Sequence, residues 1–387
     1  MENNLRALLG RVPGMRDSIL SDAVIYNQLS FGKRTVPAEV EFITSKLDQR
    51  DVGSYRVTEQ NNIIVSGSLS DTIDDKSLLV FVQMGNGRFS TADRFIETDG
   101  ERAYGSGVAE SALAVSALLN VADMLAGSGL MTEHRLAFLF AAPPDSSERF
   151  TALEHFINNN GDRIHFALEL NGIGLGSIGY RSVGEYTFDI ISRTTLMDIT
   201  DNPAQIDVVS AMDVLTELAS RLKSIGWPSR SGVFINIANI RSNAKLRKIP
   251  NEAIMRLELI SSDNEHMEFA KELLMHTVSK LSRELRTHIG VREIAHVPSN
   301  IMMENNPMLS QILSIHKALH LKSKLTLIND EAAYLLSRDI PALSLGITTG
   351  EVSVDKEYID IAPVNTGVRQ LFYVLDRLLG HGCGREV

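Results

Sequence analysis

The sequence predicts an α/β protein, a mostly parallel sheet with helices on both faces, into which a smaller α+β unit is inserted. Three observations carry this prediction. Short continuous apolar runs at 78–82, 136–141 and 166–170 are bounded by polar or turn residues, as strands buried on both faces are. A strongly apolar helical stretch separates the first two. After about residue 184 the strands begin to alternate apolar with polar residues, which marks a unit with only one covered face.

Taken in order, the strand 78–82 leads into Gln83-Met84-Gly85. Segment 108–125 follows Gly105-Ser106-Gly107 and carries apolar residues at 108, 112, 115, 118, 119, 122 and 125, so it is a core helix. Within the insert, 186–191 reads as a strand. Residues 203–225 read as a helix with Pro203 in the first turn and Val208, Met212, Leu215, Leu218, Leu222 and Ile225 on one face. Segments 233–240 and 253–260 are strands, the second setting Ile254, Arg256, Glu258 and Ile260 against Met255, Leu257 and Leu259. Ser262 with Glu265 forms a capping box for a helix through Leu285. The order β-α-β-β-α is ferredoxin-like. A helix at 307–321, a strand at 342–345 and an amphipathic helix at 368–379 complete the chain.

A chain of 387 residues that is 44% apolar and 22% charged is long enough for two domains. Met1-Glu2-Asn3-Asn4 lacks the layout of a secretory signal, and no apolar run approaches the ~20 residues that cross a bilayer, so a cytoplasmic protein without membrane contact is expected. Cys383 is the only cysteine and lies in a glycine-rich tail, which rules out an intrachain disulfide and a cysteine zinc site. The net charge of -10, with no basic run, disfavours nucleic acid as a partner.

Two motifs invite a functional reading and do not support one. Gly174-Leu175-Gly176-Ser177-Ile178-Gly179 has the dinucleotide spacing, but residues 180–191 are β-like where a helix must receive the pyrophosphate, so it is read as a glycine-rich turn. His316 and His320 have the spacing of a zinc helix, but Lys317 stands where the general-base Glu belongs, and both continue an apolar line through Leu309 and Leu313. They are read as packing residues.

The stretches YGSGVAESALAVSALLNVADML (104–125) and SLGITTGEVSVDKEYIDIAP (344–363), set in this alternation of elements, resemble the co-catalytic zinc exopeptidase and deacylase family of tripeptidase T, acetylornithine deacetylase and succinyl-diaminopimelate desuccinylase. The resemblance implies a zinc-exopeptidase-like α/β domain from residues 1–184 and 292–387, and an inserted lid or dimerisation domain at 185–291. It also implies a set of site positions. The family's strand-end His-x-Asp, ligand and orienting acid, falls on Gln83 and Gly85. Its bridging Asp falls on Glu110, its Glu-Glu pair of base and ligand on Asp145 and Ser146, its next carboxylate ligand on Glu169, and its last ligand His on Ser353. The insert's substrate-facing His falls near Leu196, and its substrate-binding Asn and Arg fall near Arg247 and Ile260.

Both histidine ligand positions are therefore occupied by other residues, and imidazole is the main neutral donor that makes such a site select zinc. The expectation is a non-catalytic binding or regulatory homologue with no cofactor, its cleft marked by Glu110, Glu169 and Arg247, taking a peptide-like ligand or a protein partner. The alternative is an active peptidase or N-acyl amino acid amidohydrolase with a rearranged site. There Mn, Mg or Zn would be held through Glu110 and Glu169, with Asp145 or Glu148 as base and His134 or His155 as added ligands. A homodimer through the insert follows from the resemblance under either reading.

Overall fold

The computed structural model of the chain describes residues 8–29, 36–52, 54–67, 72–85, 96–126, 135–143, 151–195, 197–198, 209–225, 227, 232–242, 244, 248–302, 306–328, 331–353 and 357–380. The chain forms two compact units, Met1–Arg181 with Ile301–Val387, and Ser182–Asn300.

The first unit is built on an eight-stranded sheet in the spatial order Tyr55–Val57, Ile63–Val65, Leu136–Ala141, Ser77–Gln83, Ile164–Ile173, Ala342–Thr348, Ser177–Ser182 and Lys324–Ile328. Its four central strands, Leu136–Ala141 through Ala342–Thr348, run parallel, and Ile63–Val65 and Ser177–Ser182 join antiparallel on either side. Leu136–Ala141 is buried along its whole length, which is why its sequence is apolar without alternation, and Ala342–Thr348, equally buried, sets Leu343, Leu345 and Ile347 against the small Ala342, Ser344, Gly346 and Thr348.

Segment 108–125 is helical as expected, but its first turn, Val108–Ala112, is a π-turn that passes into the α-helix Leu113–Ala126. Over Val108–Ala126 this helix is long and apolar enough to span a bilayer, with a mean hydropathy of 1.5, and 83% of that window is buried inside the fold. Its apolar residues serve the core. It is tied to the amino-terminal helices Met15–Leu29 and Val36–Gln49 by the buried Asp22, which takes Lys46 at 2.9 Å, Arg50 at 2.5 Å and the Asn120 amide at 2.9 Å. A small antiparallel sheet, in the order Gly350–Val352, Glu357–Asp360, Arg102–Tyr104 and Glu97–Thr98, joins the two strands just before that helix in the chain to two strands near the carboxyl end.

The second unit is a four-stranded antiparallel sheet ordered Phe234–Ser242, Glu252–Ser261, Gly184–Arg193, His288–Val297, with the helices Ala211–Ser224 and Asn264–Glu284 on one face. The strand His288–Val297 is additional to the order read from sequence and completes a β-α-β-β-α-β unit. It escapes a periodicity test because it is an edge strand with a register shift between Glu293 and Ala295. Met255, Leu257 and Leu259 face the helices, while Ile254, Arg256, Glu258 and Ile260 are half-buried on the other side. Two helix starts differ from the sequence reading. The first helix begins at Ala211, capped by the Ser210 side chain, and Pro203 and Val208 lie outside the described residues. The second is capped by Asp263, whose carboxylate accepts from the His266 N–H, and not by Ser262.

On the polar face of this sheet Asp189 is 2% exposed and pairs across both neighbouring strands, with Arg256 at 2.9 and 3.1 Å and Arg292 at 2.9 Å. Hydrogen bonding from Arg256, with Arg292 beside it, outweighs burial and holds its carboxyl below the ordinary range. Asp189→Ala removes the acceptor of these charge-assisted hydrogen bonds and leaves Arg256 and Arg292 within reach of water, so it is expected to lose about 1–3 kcal/mol in urea unfolding at neutral pH. In the wild type this contribution is present above the unfolded carboxyl range and fades as pH falls through the lowered folded value, an acid limb that the Ala variant lacks.

Candidate functional site

In an open α/β sheet, side chains available for chemistry collect beyond the carboxyl ends of the parallel strands. Gln83 ends Ser77–Gln83, half-buried, and its side-chain Nε2 donates to the Ala142 carbonyl at 3.0 Å. Its Oε1 is enclosed and has no partner among the described residues. Two residues on, Gly85 has φ +95°, donates its N–H to the Tyr26 hydroxyl at 3.1 Å and accepts from the Ser111 hydroxyl. A Cβ at Gly85 would lie 2.9 Å from the Pro143 Cβ. Backbone conformation and space both oppose a carboxylate there.

Glu110 sits in the π-turn that opens the core helix, after Gly107 at φ +90°. The exposed N–H groups of that turn are taken by Glu357, whose carboxylate accepts from Gly107 at 2.7 Å and Ala109 at 2.9 Å. Burial raises the Glu357 carboxyl above its ordinary range; the Gly107 and Ala109 N–H groups oppose this, and the neighbouring Glu110 pushes it further up. Glu357 was visible in the sequence only as half of a Glu-Tyr pair, because its role depends on a contact 250 residues away.

Glu169 is 2% exposed and lies within its strand, not at the end of it, because Ile164–Ile173 continues through Asn171 and Gly172. It stands opposite Phe81 on one side and Ser344 on the other, and its Oε2 accepts from the Ala332 N–H at 3.2 Å. Continuing that register by two residues brings Asn171, an amide, to the level of Gln83. Gly172 faces the opposite way from Glu169 and is packed on the π-turn: a Cβ there would lie 2.2 Å from the Ala109 carbonyl oxygen and 3.0 Å from that of Glu110. The side chain of Glu169 and the backbone of Glu110 are therefore on opposite faces of the central strand. Ser353 is exposed just past Gly350–Val352, and Ile260 is half-buried in the second unit. Asp145, Ser146, Glu148, His134, Leu196, Arg247 and Cys383 lie outside the described residues. His155 is exposed on the helix Thr151–Asn160. Among the described residues no three His, Cys, Asp or Glu side chains gather as a metal site.

The motifs set aside in the sequence behave as structural devices. Gly174 and Gly176, at φ +103° and +89°, form a turn into the strand Ser177–Ser182. His316 is fully buried, between Ser323 Oγ at 3.0 Å and Gln370 Oε1 at 2.8 Å, and burial lowers its pKa. His320 is exposed, because the helix stops at Ala318 and His320 adopts φ +56°.

Two outcomes are expected. Gly85→Asp should cost about 1–3 kcal/mol in chemical unfolding, from strain at positive φ and the contact with Pro143. Glu357→Gln should change the pH profile. The folded chain holds the Glu357 proton more tightly than the unfolded chain, so the wild type loses stability as pH rises from the ordinary value of 4.5 through the raised one, and the Gln variant does not. Melting temperatures from about pH 4 to about pH 8 check this. A constant offset between the two proteins would contradict it.

No protein-family model matches the sequence, and no curated protein matches it. Solved structures do. A tripeptidase from Staphylococcus aureus is 13% identical with a TM-score of 0.69, covering 94% of this chain and 99% of its own. The dipeptidase Dug1p from Saccharomyces cerevisiae is 12% identical with a TM-score of 0.72, covering 97% and 98%. An amidase of the hydantoinase/carbamoylase family from Burkholderia vietnamiensis is 12% identical with a TM-score of 0.70, covering 95% and 98%. From end to end, the chain has the fold of the zinc exopeptidases and deacylases.

Proposed function

We propose that this chain is a cytoplasmic, non-catalytic homologue of those hydrolases, one that has lost the two-zinc site and uses its cleft to bind a peptide-like ligand or a protein partner. Binuclear hydrolysis needs two cations ~3.5–4 Å apart, each with several ligands and with a base positioned for water. The donors described here do not fit that requirement. The single observation that carries the reading is Gln83: at the strand end where a ligand imidazole is required, an amide stands with its nitrogen already committed to Ala142. Gly85 offers no side chain, Asn171 offers a second amide, and Ser353 offers a hydroxyl that binds zinc well only after losing its proton. The Glu110 backbone and the Glu169 side chain lie on opposite faces of Ile164–Ile173, which does not favour one site built on both.

The test is metal content by plasma mass spectrometry after dialysis against zinc or manganese, paired with turnover of dipeptides, tripeptides and N-acyl amino acids. Well under one equivalent per chain, no rise in melting temperature with added metal and no turnover are expected. About two equivalents with hydrolysis would overturn the reading.

The proposed assembly is a homodimer through the Ser182–Asn300 unit. Support comes from one of its edge strands, Phe234–Ser242, where Phe234, 62% exposed, lines a largely apolar hollow with Leu222, Lys223, Trp227, Val233, Ile235 and Ile237. Sedimentation velocity is expected to show a dimer that Phe234→Glu converts to monomer, with its circular dichroism unchanged.

A further inference from the structure

Away from the cleft, the eight-stranded sheet ends at Lys324–Ile328, and no strand pairs with its outer edge among the described residues. The approach to this strand is fixed at three points. His320 in the left-handed region closes the preceding helix, with Leu321 N–H donating to His316 O at 2.8 Å. Ser323 Oγ meets the buried His316 ring at 3.0 Å. Lys324 N–H donates to Gly176 O at 2.9 Å, and a Cβ at Gly176 would come within 2.9 Å of the Lys322 carbonyl, so this glycine admits the approaching backbone. The edge is thus held in place without a partner.

Its side chains have a marked chemistry. Leu325 and Leu327 are 43% and 51% exposed on one side of the strand, whereas Ile328 on the other side is 2% exposed. Lys317, Lys322 and Lys324 are exposed and form no ion pair among the described residues, and residues 317–328 contain no acidic residue in a chain of net charge -10. Lysines on an edge strand discourage pairing with a second copy, since self-pairing brings like charges together. They favour an acidic strand for the same reason.

We propose that the Lys324–Ile328 edge is a docking site for an extended acidic segment of another protein, added as a ninth strand. Main-chain hydrogen bonds supply the affinity, apolar side chains on one side of the added strand cover Leu325 and Leu327, and carboxylates on the other meet Lys322 and Lys324. A pre-ordered edge lowers the ordering cost of such binding. This proposal is independent of the fate of the cleft.

The test uses the full-length protein and fluorescence anisotropy with a labelled peptide alternating Glu and Val, its Lys and Val counterpart, and two versions of the first N-methylated on either alternate set of amides. The expected result is that only the Glu and Val peptide binds, more weakly as salt rises. Methylation of one set of amides should weaken it about tenfold or more, and so should the double variant Lys322→Glu, Lys324→Glu with an unchanged circular dichroism spectrum. Equal binding of acidic and basic peptides, no binding of either, or indifference to methylation at both sets would overturn the proposal. So would self-association of the wild type through this edge, since the occupant would then be a second copy.

Discussion

The packing of the core helix's first turn directly onto Gly172 is the contact on which the rest of the first unit depends. With a side chain at that position the strand and the turn could not approach, since even a Cβ would fall 2.2 Å from the Ala109 carbonyl oxygen. The close approach sets the helix's positive end beside the carboxyl end of the central strand, where its free N–H groups require acceptors. Glu357 supplies them, and its strand, Glu357–Asp360, pairs with Gly350–Val352, the strand that follows Ala342–Thr348. Three stretches far apart in sequence, around 107–110, 172 and 357, are thereby held at one place.

That convergence lies at the carboxyl ends of the parallel strands, where an open sheet of this kind collects its polar side chains. The sheet requires apolar residues on both faces of its central strands, and this chain supplies them. The strand ends face a separate requirement, set by whatever chemistry takes place there. At those ends stand Gln83, Gly85 and Asn171, two amides and a residue without a side chain. Amide groups can orient a peptide-like ligand by hydrogen bonding, but they are weak donors to a metal and cannot serve as a general base at neutral pH. Architecture and chemistry are therefore set by separate requirements in this molecule, and sharing the first does not by itself fix the second.

The parts legible in the sequence were those where burial leaves a periodic trace. Leu136–Ala141 and the helix through Leu125 are apolar on every side that matters, so their composition announced them. The strand Tyr55–Val57 is too short to show a period, Lys324–Ile328 is mostly exposed, and His288–Val297 is interrupted by its register shift. The apolar run at 166–170 sets Glu169 near the end of its strand, but the strand continues to Ile173, where the first turn of the core helix packs on Gly172, and no local propensity encodes that contact. Asp263 and Ser262 are both good capping residues, and which of them caps is decided by backbone geometry that pattern alone does not contain.

The buried histidine shows how such unread contacts join distant parts of the unit. Gln370 Nε2 donates to the carbonyl of Gly346 in Ala342–Thr348 at 3.3 Å, so its Oε1 is left to accept. His316 must then carry its proton on Nε2 to donate to Gln370, and its Nδ1 is free to accept the Ser323 hydroxyl. Every bond in the chain has a defined direction, and the neutral ring satisfies all of them, in keeping with the lowering of its pKa by burial. The chain starts next to Leu345 and Ile347 in the core and ends one residue before the exposed strand at Lys324. Rigidity generated by the apolar centre of the sheet is in this way carried to its edge, in addition to the main-chain bonds that tie the edge to Gly176 and to Ser177–Ser182.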